Sequence, residues 1–188
     1  MFDHFDLLAN VYDKLISAPD LSSLQKLLDL PTSGWMLDAG GGTGRVSAGL
    51  RQFLDRVVVC DASLKMLGQS AGKGDIAPVK GDVAKLPFSN NSFERIVVVD
   101  ALHHFKKPHD AIKEFFRVIK PGGKIVIEEF NIKRFPVKLI AWAEKIMLMG
   151  SHFFTPDEIK EMLENSGFSA SIDNPTGIDT WVVGEKVS

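Results

Sequence analysis

The stretch LDAGGGTGR, residues 37–45, sets glycine at positions 40, 41, 42 and 44 between a short apolar run and a helix-like pattern. Such a loop lets a ligand lie against bare backbone, where side chains would hold it at a distance. An apolar run, a glycine loop and a helix in that order form the first strand-to-helix turn of an open α/β sheet. Ligands of such sheets sit beyond the carboxyl ends of the strands. The loop therefore marks a binding site, and its neighbours decide the ligand.

Two phosphate-binding patterns fit poorly. A P-loop needs Lys-Ser or Lys-Thr after its last glycine, and neither pair follows here. In the dinucleotide pattern G-x-G-x-x-G, a start at Gly40 puts Arg45 in the third glycine position. A start at Gly42 puts Ser47 there and begins too late after the strand. A short-chain dehydrogenase would also need Tyr and Lys four apart. The only tyrosine, Tyr12, lies upstream of the loop and is followed four residues on by Ile16.

Outward from the loop, short apolar runs alternate with helical patterns. The runs are WMLDA (35–39), RVVVCD (56–61), APVKG (77–81), RIVVVD (95–100) and KIVIEEF (124–130). Runs this short, β-branched and apolar on both faces predict parallel strands covered by helices. Helices are predicted at 44–53, at 63–71 with Ser63 as cap, and at 108–119 with Pro108 in the first turn. Upstream, 4–17 and about 20–29 read as helices, the second capped by Asp20 and closed by Pro31. KPGGK (120–124) is expected to stop a helix and turn the chain into the next strand. TPDEIKEMLENSGF carries a capping box, Thr155 with Glu158, and ends at Gly167. Strands around 169–173 and 180–187 follow with too short a connection to be parallel, so they are expected to be antiparallel.

Composition bounds the function. A chain of 188 residues with 45% apolar and 24% charged residues reads as a single domain able to bury a full core. A formal charge of −2 leaves no footprint for nucleic acid. Cys60 is the only cysteine, which excludes an internal disulfide or a multi-thiol metal site and fits the reducing cytoplasm. No run reaches the roughly 18 apolar residues of a membrane span, and the acidic start MFDHFDLLANVYDKLI differs from a signal peptide.

The pattern D-x-G-x-G-x-G, filled by Asp38, Gly40, Gly42 and Gly44, resembles that of the class I methyltransferases that use S-adenosylmethionine. The resemblance covers roughly residues 30–130 by motif and the tail by architecture. It implies an α/β, Rossmann-like, doubly wound seven-stranded sheet: five parallel strands plus a C-terminal antiparallel hairpin, with helices on both faces. It also implies that the loop, Gly41 included, passes under the methionyl part and ribose, ordered by Asp38. Asp61 would take both ribose hydroxyls, as a carboxylate can accept two hydrogen bonds. Ala62 follows it, and Met66 would cover an adenine face. Asp82, with the Val83 backbone, would meet the adenine amino group. The segment DALHHF (100–105) would hold the methionyl end through its backbone and Asp100.

Within that class the chain looks most similar to the quinone-biosynthesis type, through Phe5, Asp6, Ala9, Tyr12 and Asp13 near the start and LPF…SF at 86–93. The resemblance makes residues 1–30 a helical lid that brings Tyr12 to the cofactor, and 131–154 a short cap, both within one domain spanning 1–188. The chain departs from those enzymes in its reduced insertion after the fifth strand.

Methyl transfer from a sulfonium is an in-line displacement, so the protein chiefly positions the acceptor. Where the acceptor must lose a proton, a base adds roughly 10²–10⁴-fold. His103 and His104 are the candidates, with His104 preferred and a structural role for both left open; Glu128 and Glu129 are further polar candidates. The chain has DALH where nucleic-acid amino methyltransferases carry Asn/Asp-Pro-Pro-aromatic. The sparsely charged stretch 135–150, with Trp142 and Met147, either covers a substrate pocket or packs on the core. The expected activity is methylation of a small or apolar molecule, with no metal. A S-adenosylmethionine-binding accessory protein without transfer activity, and aminopropyl transfer, are the alternatives.

Overall fold

The computed structural model describes residues 20–130, 153–174 and 179–187. The segments 4–17 and 135–150, with Tyr12, Trp142 and Met147, lie outside the described residues, as do most of the expected lid and cap.

The elements run α1 (Leu21–Leu27), β1 (Trp35–Ala39), α2 (Arg45–Leu50), a 3₁₀ turn (Arg51–Phe53), β2 (Arg56–Asp61), α3 (Leu64–Ser70) and β3 (Ile76–Lys80). Then come β4 (Phe93–Val99), a 3₁₀ turn (Leu102–His104), α4 (Pro108–Val118), β5 (Ile119–Phe130), α5 (Pro156–Asn165), β6 (Ser169–Asp173) and β7 (Asp179–Glu185). One seven-stranded sheet has the order β3-β2-β1-β4-β5-β7-β6. The first five strands are parallel, and β7 pairs antiparallel with both β5 and β6. The doubly wound sheet with its terminal antiparallel pair is thus the expected one.

Alternation along the strands divides the core. Leu37, Val58, Ile96, Val98, Ile125 and Ile127 face α4 and α5 through Ile112, Phe115, Ile159 and Leu163. Met36, Val57, Val97 and Val126 face Leu24 and Leu28 of α1 and its flank, and Val46 and Leu50 of α2. Central strands buried on both faces read as unbroken apolar runs for this reason.

The helix boundaries follow local chemistry. Asp20 accepts from the amides of Ser22 and Ser23, Ser63 accepts from Met66, and Thr155 and Glu158 form a reciprocal capping box. Past α5, the Gly167 amide donates to the Glu164 carbonyl and Phe168 to Leu163, which closes the helix in a left-handed glycine turn. One expectation is altered. Residues 120–124 do not separate a helix from a strand, because α4 hands over to β5 at Ile119. Phe93 pairs with Ile119 but Arg95 pairs with Lys124, so residues 120–123 bulge within the strand. The bulge is satisfied from the other end of the chain: the Gly122 amide donates to the Lys186 carbonyl at 2.7 Å, and the Lys186 amide to Gly123 at 3.1 Å.

Candidate functional site

The carboxyl ends of β1, β2 and β4 gather the glycine loop, Asp61 and Asp100. Gly40 has φ +71, and a Cβ there would stand 2.9 Å from the Ala101 Cβ and 3.0 Å from the Phe105 ring. The loop is therefore packed against the turn that follows β4. Gly42, at φ +52, is the opposite case: a Cβ there would meet nothing nearer than Asp61 Oδ2, at 3.8 Å. Its face is open for a ligand.

Asp38 lies beneath the loop rather than in it. It is 1% exposed, and its Oδ2 accepts the Ser47 hydroxyl at 2.6 Å. Loss of hydration pushes its carboxyl up to about 6, against the lowering effects of that hydrogen bond and the Arg45 charge. Asp61 is the acid that reaches the loop. Its Oδ2 accepts from the Gly42 amide at 3.0 Å and its Oδ1 from the Ser63 amide at 2.8 Å. Ala62, between them, is exposed, whereas Met66 is buried on α3.

Asp82 is exposed after β3, where its Oδ1 accepts from the Ala84 amide at 2.9 Å; Val83 is buried beside it. The two strand-end acids lie close enough that, after burial, their charges help push the Cys60 thiol up to about 12. Asp61 and Asp82 thus follow neighbouring strands, on the side of Cys60. Asp100 stands on the other side, in the left-handed region at φ +51, with its amide donating to the Glu128 carbonyl. Arg45 bridges to it: Nη2 lies 2.8 Å from Asp100 Oδ2, and both side chains are nearly buried. Arg45, which spoils the dinucleotide pattern, thereby supplies a cation at the start of α2.

The two histidines differ sharply. His103 is 2% exposed, its Nδ1 lies 2.7 Å from Glu129 Oε2, and its backbone amide donates to Glu129 Oε1 at 3.3 Å. Its ring stacks on Phe153 with centroids 4.9 Å apart. His104 is half-buried, its ring 3.9 Å from that of His103. Desolvation, then the neighbouring imidazole, pushes it down to about 3, so it stays neutral at working pH. Glu129 was legible as an acid closing β5, but its partnership with His103 depends on strand register. The partners of Asp38 and Asp100, Ser47 and Arg45, are likewise additions of the structure. Among the described residues no three His, Cys, Asp or Glu side chains gather as a metal site would require.

Comparison with known proteins agrees with this geometry. Residues 37–127 match a family model described as a methyltransferase domain. A demethylmenaquinone methyltransferase of Paenarthrobacter aurescens is 36% identical over 123 residues, 64% of this chain and 48% of that protein. One from Corynebacterium kroppenstedtii is 33% identical over 152 residues, 78% of this chain and 66% of that protein. The chain thus spans about half the length of the first relative and about two thirds of the second. Among solved structures, a SAM-dependent methyltransferase from Thermotoga maritima superposes with a TM-score of 0.79 over 97% of this chain and 98% of its own, at 21% identity. That likeness is one of fold.

Proposed function

Because the chain belongs to the class I S-adenosylmethionine-dependent methyltransferases, we propose that it methylates a small apolar molecule, with the glycine loop and its flanking acids as the cofactor site. The observation that carries this reading is the pairing of Gly42 with Asp61. The open face at Gly42 is a cradle that any side chain would fill, and Asp61 is held over it by two backbone amides. A carboxylate can accept several hydrogen bonds at once, so one fixed by backbone amides at the edge of the loop suits the paired hydroxyls of a ribose. S-Adenosylmethionine, when bound, supplies a methyl group on a positively charged sulfur, already a good leaving group.

The chain's own groups divide the work. Asp61 orients the ribose, while Asp82, the Val83 backbone and Met66 border the adenine. Asp100 and Arg45 offer opposite charges, matching the ammonium and carboxylate of an amino acid. The turn 101–105, against which Gly40 packs, positions the acceptor beside the loop. Tyr12, in the segment read as a lid, is assigned to the cofactor on the resemblance alone. The acceptor we propose is a quinol of the kind named for the relatives, supported by the Phe153 ring stacked on His103. A cytoplasmic location belongs to the same proposal, supported by the single buried thiol. Among the described residues no helix is long and apolar enough to cross a membrane.

Calorimetry with S-adenosylmethionine tests the site. Asp61→Ala removes charge-assisted hydrogen bonds worth roughly 1.5–3 kcal/mol, so affinity should fall about 10–150-fold. Unchanged affinity would remove Asp61 from the site. Transfer of labelled methyl to a short-chain demethylmenaquinol tests the acceptor, and its absence in a protein that binds the cofactor would overturn the quinol.

A further inference from the structure

We propose that His103 is the base that takes the acceptor's proton and that Glu129 is a positioning residue acting through it. This rests on the methyltransferase reading above. The preference moves from His104 to its neighbour because of the carboxylate beneath the ring. An ionised carboxylate only accepts hydrogen bonds, so with Glu129 Oε2 at 2.7 Å the proton of the neutral imidazole sits on Nδ1. The lone pair is then on Nε2. That atom is buried and has no hydrogen-bond partner among the described residues. A buried acceptor left unsatisfied costs roughly 1–3 kcal/mol, so its persistence at the carboxyl end of β4 points to a ligand group that completes it. The ring is held in one plane by stacking on Phe153 and by both oxygens of Glu129, one on Nδ1 and one on the backbone amide. The turn carrying it packs on the glycine loop through Ala101 and Phe105.

The O–H bond of the acceptor breaks and its proton goes to Nε2. The pair left on oxygen attacks the methyl carbon directly or, in a quinol, pushes a ring π pair onto it. In the quinol the hydrogen on the methylated ring carbon then passes as a proton to the oxygen and restores the aromatic ring. The bond from the methyl carbon to sulfur breaks with its pair retained on sulfur, which passes from sulfonium to neutral thioether. An imidazolium is left in a site where His103 is 2% exposed, and a buried cation needs a compensating charge at hand. Glu129 supplies it from β5; the rings against it among the described residues are those of His104 on the same turn and Phe153. The acceptor class follows from the chemistry: a hydroxyl, or a ring carbon activated by a neighbouring hydroxyl, needs a base to take the hydroxyl proton, whereas a neutral amine already offers its lone pair.

The experiment combines histidine-labelled 15N spectra with kinetics. In the wild type the His103 signal, assigned by its loss in His103→Gln, should be the Nδ1–H form with Nε2 unprotonated. Glu129→Leu should shift it to the Nε2–H form that dominates in water. Glu129→Gln keeps an acceptor but loses the charge. With S-adenosylmethionine and the short-chain demethylmenaquinol it should lower kcat about 10–100-fold, with KM and cofactor affinity within about twofold, and His103→Gln should lower kcat by roughly 10²–10⁴-fold. An Nε2–H ring in the wild type, or a Glu129→Gln enzyme with wild-type kcat, overturns the proposal. A wild type that leaves the quinol unmethylated overturns that acceptor, while the 15N spectra still decide the role of Glu129.

Discussion

Asp38 offers the sharpest test of the electrostatics under the glycine loop. Its carboxyl is raised from 3.8 to about 6 because the cost of burial outweighs the hydrogen bonds it accepts from Ser47 and the charge of Arg45. A folded pKa above the unfolded one means that ionisation opposes folding. The contribution is fully present below about pH 4 and is lost as pH rises through about 6. A shift of about two units at 1.36 kcal/mol each makes the whole effect about 3 kcal/mol. Asp38→Asn keeps an oxygen that can accept from Ser47 and removes the ionisation. Urea unfolding of both proteins at pH 4, 5, 6 and 7 gives their stability difference at each pH, in which the other carboxylates cancel. The wild type should lose about 2.4 kcal/mol relative to Asp38→Asn between pH 4 and pH 7, most of it between 4 and 6. A fixed offset between the variants would reflect altered packing and would not matter. A difference that stays flat to within about 0.5 kcal/mol would refute the argument, because it would mean that Asp38 ionises as readily in the fold as in the unfolded chain.

Other predictions probe the loop and its charge pair. Gly40→Ala combines a positive φ, costing about 1–2 kcal/mol, with a contact of 2.9 Å on the Ala101 Cβ, so thermal unfolding should show a loss of about 2–4 kcal/mol. Gly122→Ala has a similar φ, +74, but nothing within 4 Å, and should show the conformational part alone; equal losses would refute the packing of the loop on the post-β4 turn. Arg45→Gln should weaken S-adenosylmethionine about 10–150-fold in calorimetry, yet leave 5′-methylthioadenosine, which lacks the amino-acid end, within about twofold. Equal weakening of both would remove Arg45 from the methionyl side of the site.

How much of this was legible in the sequence depends on whether the information is local. β1, β2 and β6 occupy the residues their apolar or alternating runs predict, and Asp20, Ser63 and Thr155 cap where their side chains allow. Those features need only the chain within a few residues. The charge pair of Arg45 with Asp100 and the pair of His103 with Glu129 join residues 55 and 26 apart, and no periodicity specifies them. The two acids closing β5 show why. Glu128 stands opposite Trp181, on the face of Val126, and the next residue, Glu129, shares the opposite face with Ile125 and Ile127. Alternation alone separates the two but cannot say which meets the histidine. That choice lies in the register of β5 against β4, with Val99 opposite Glu128. A slip of one residue would turn Glu129 away and send Glu128 to His103's face. The register is reached only after residues 120–123 bulge out between the pairings of Ile119 and Lys124. The glycines there, which read as a simple turn, therefore help determine which carboxylate lies under His103 at the far end of the strand.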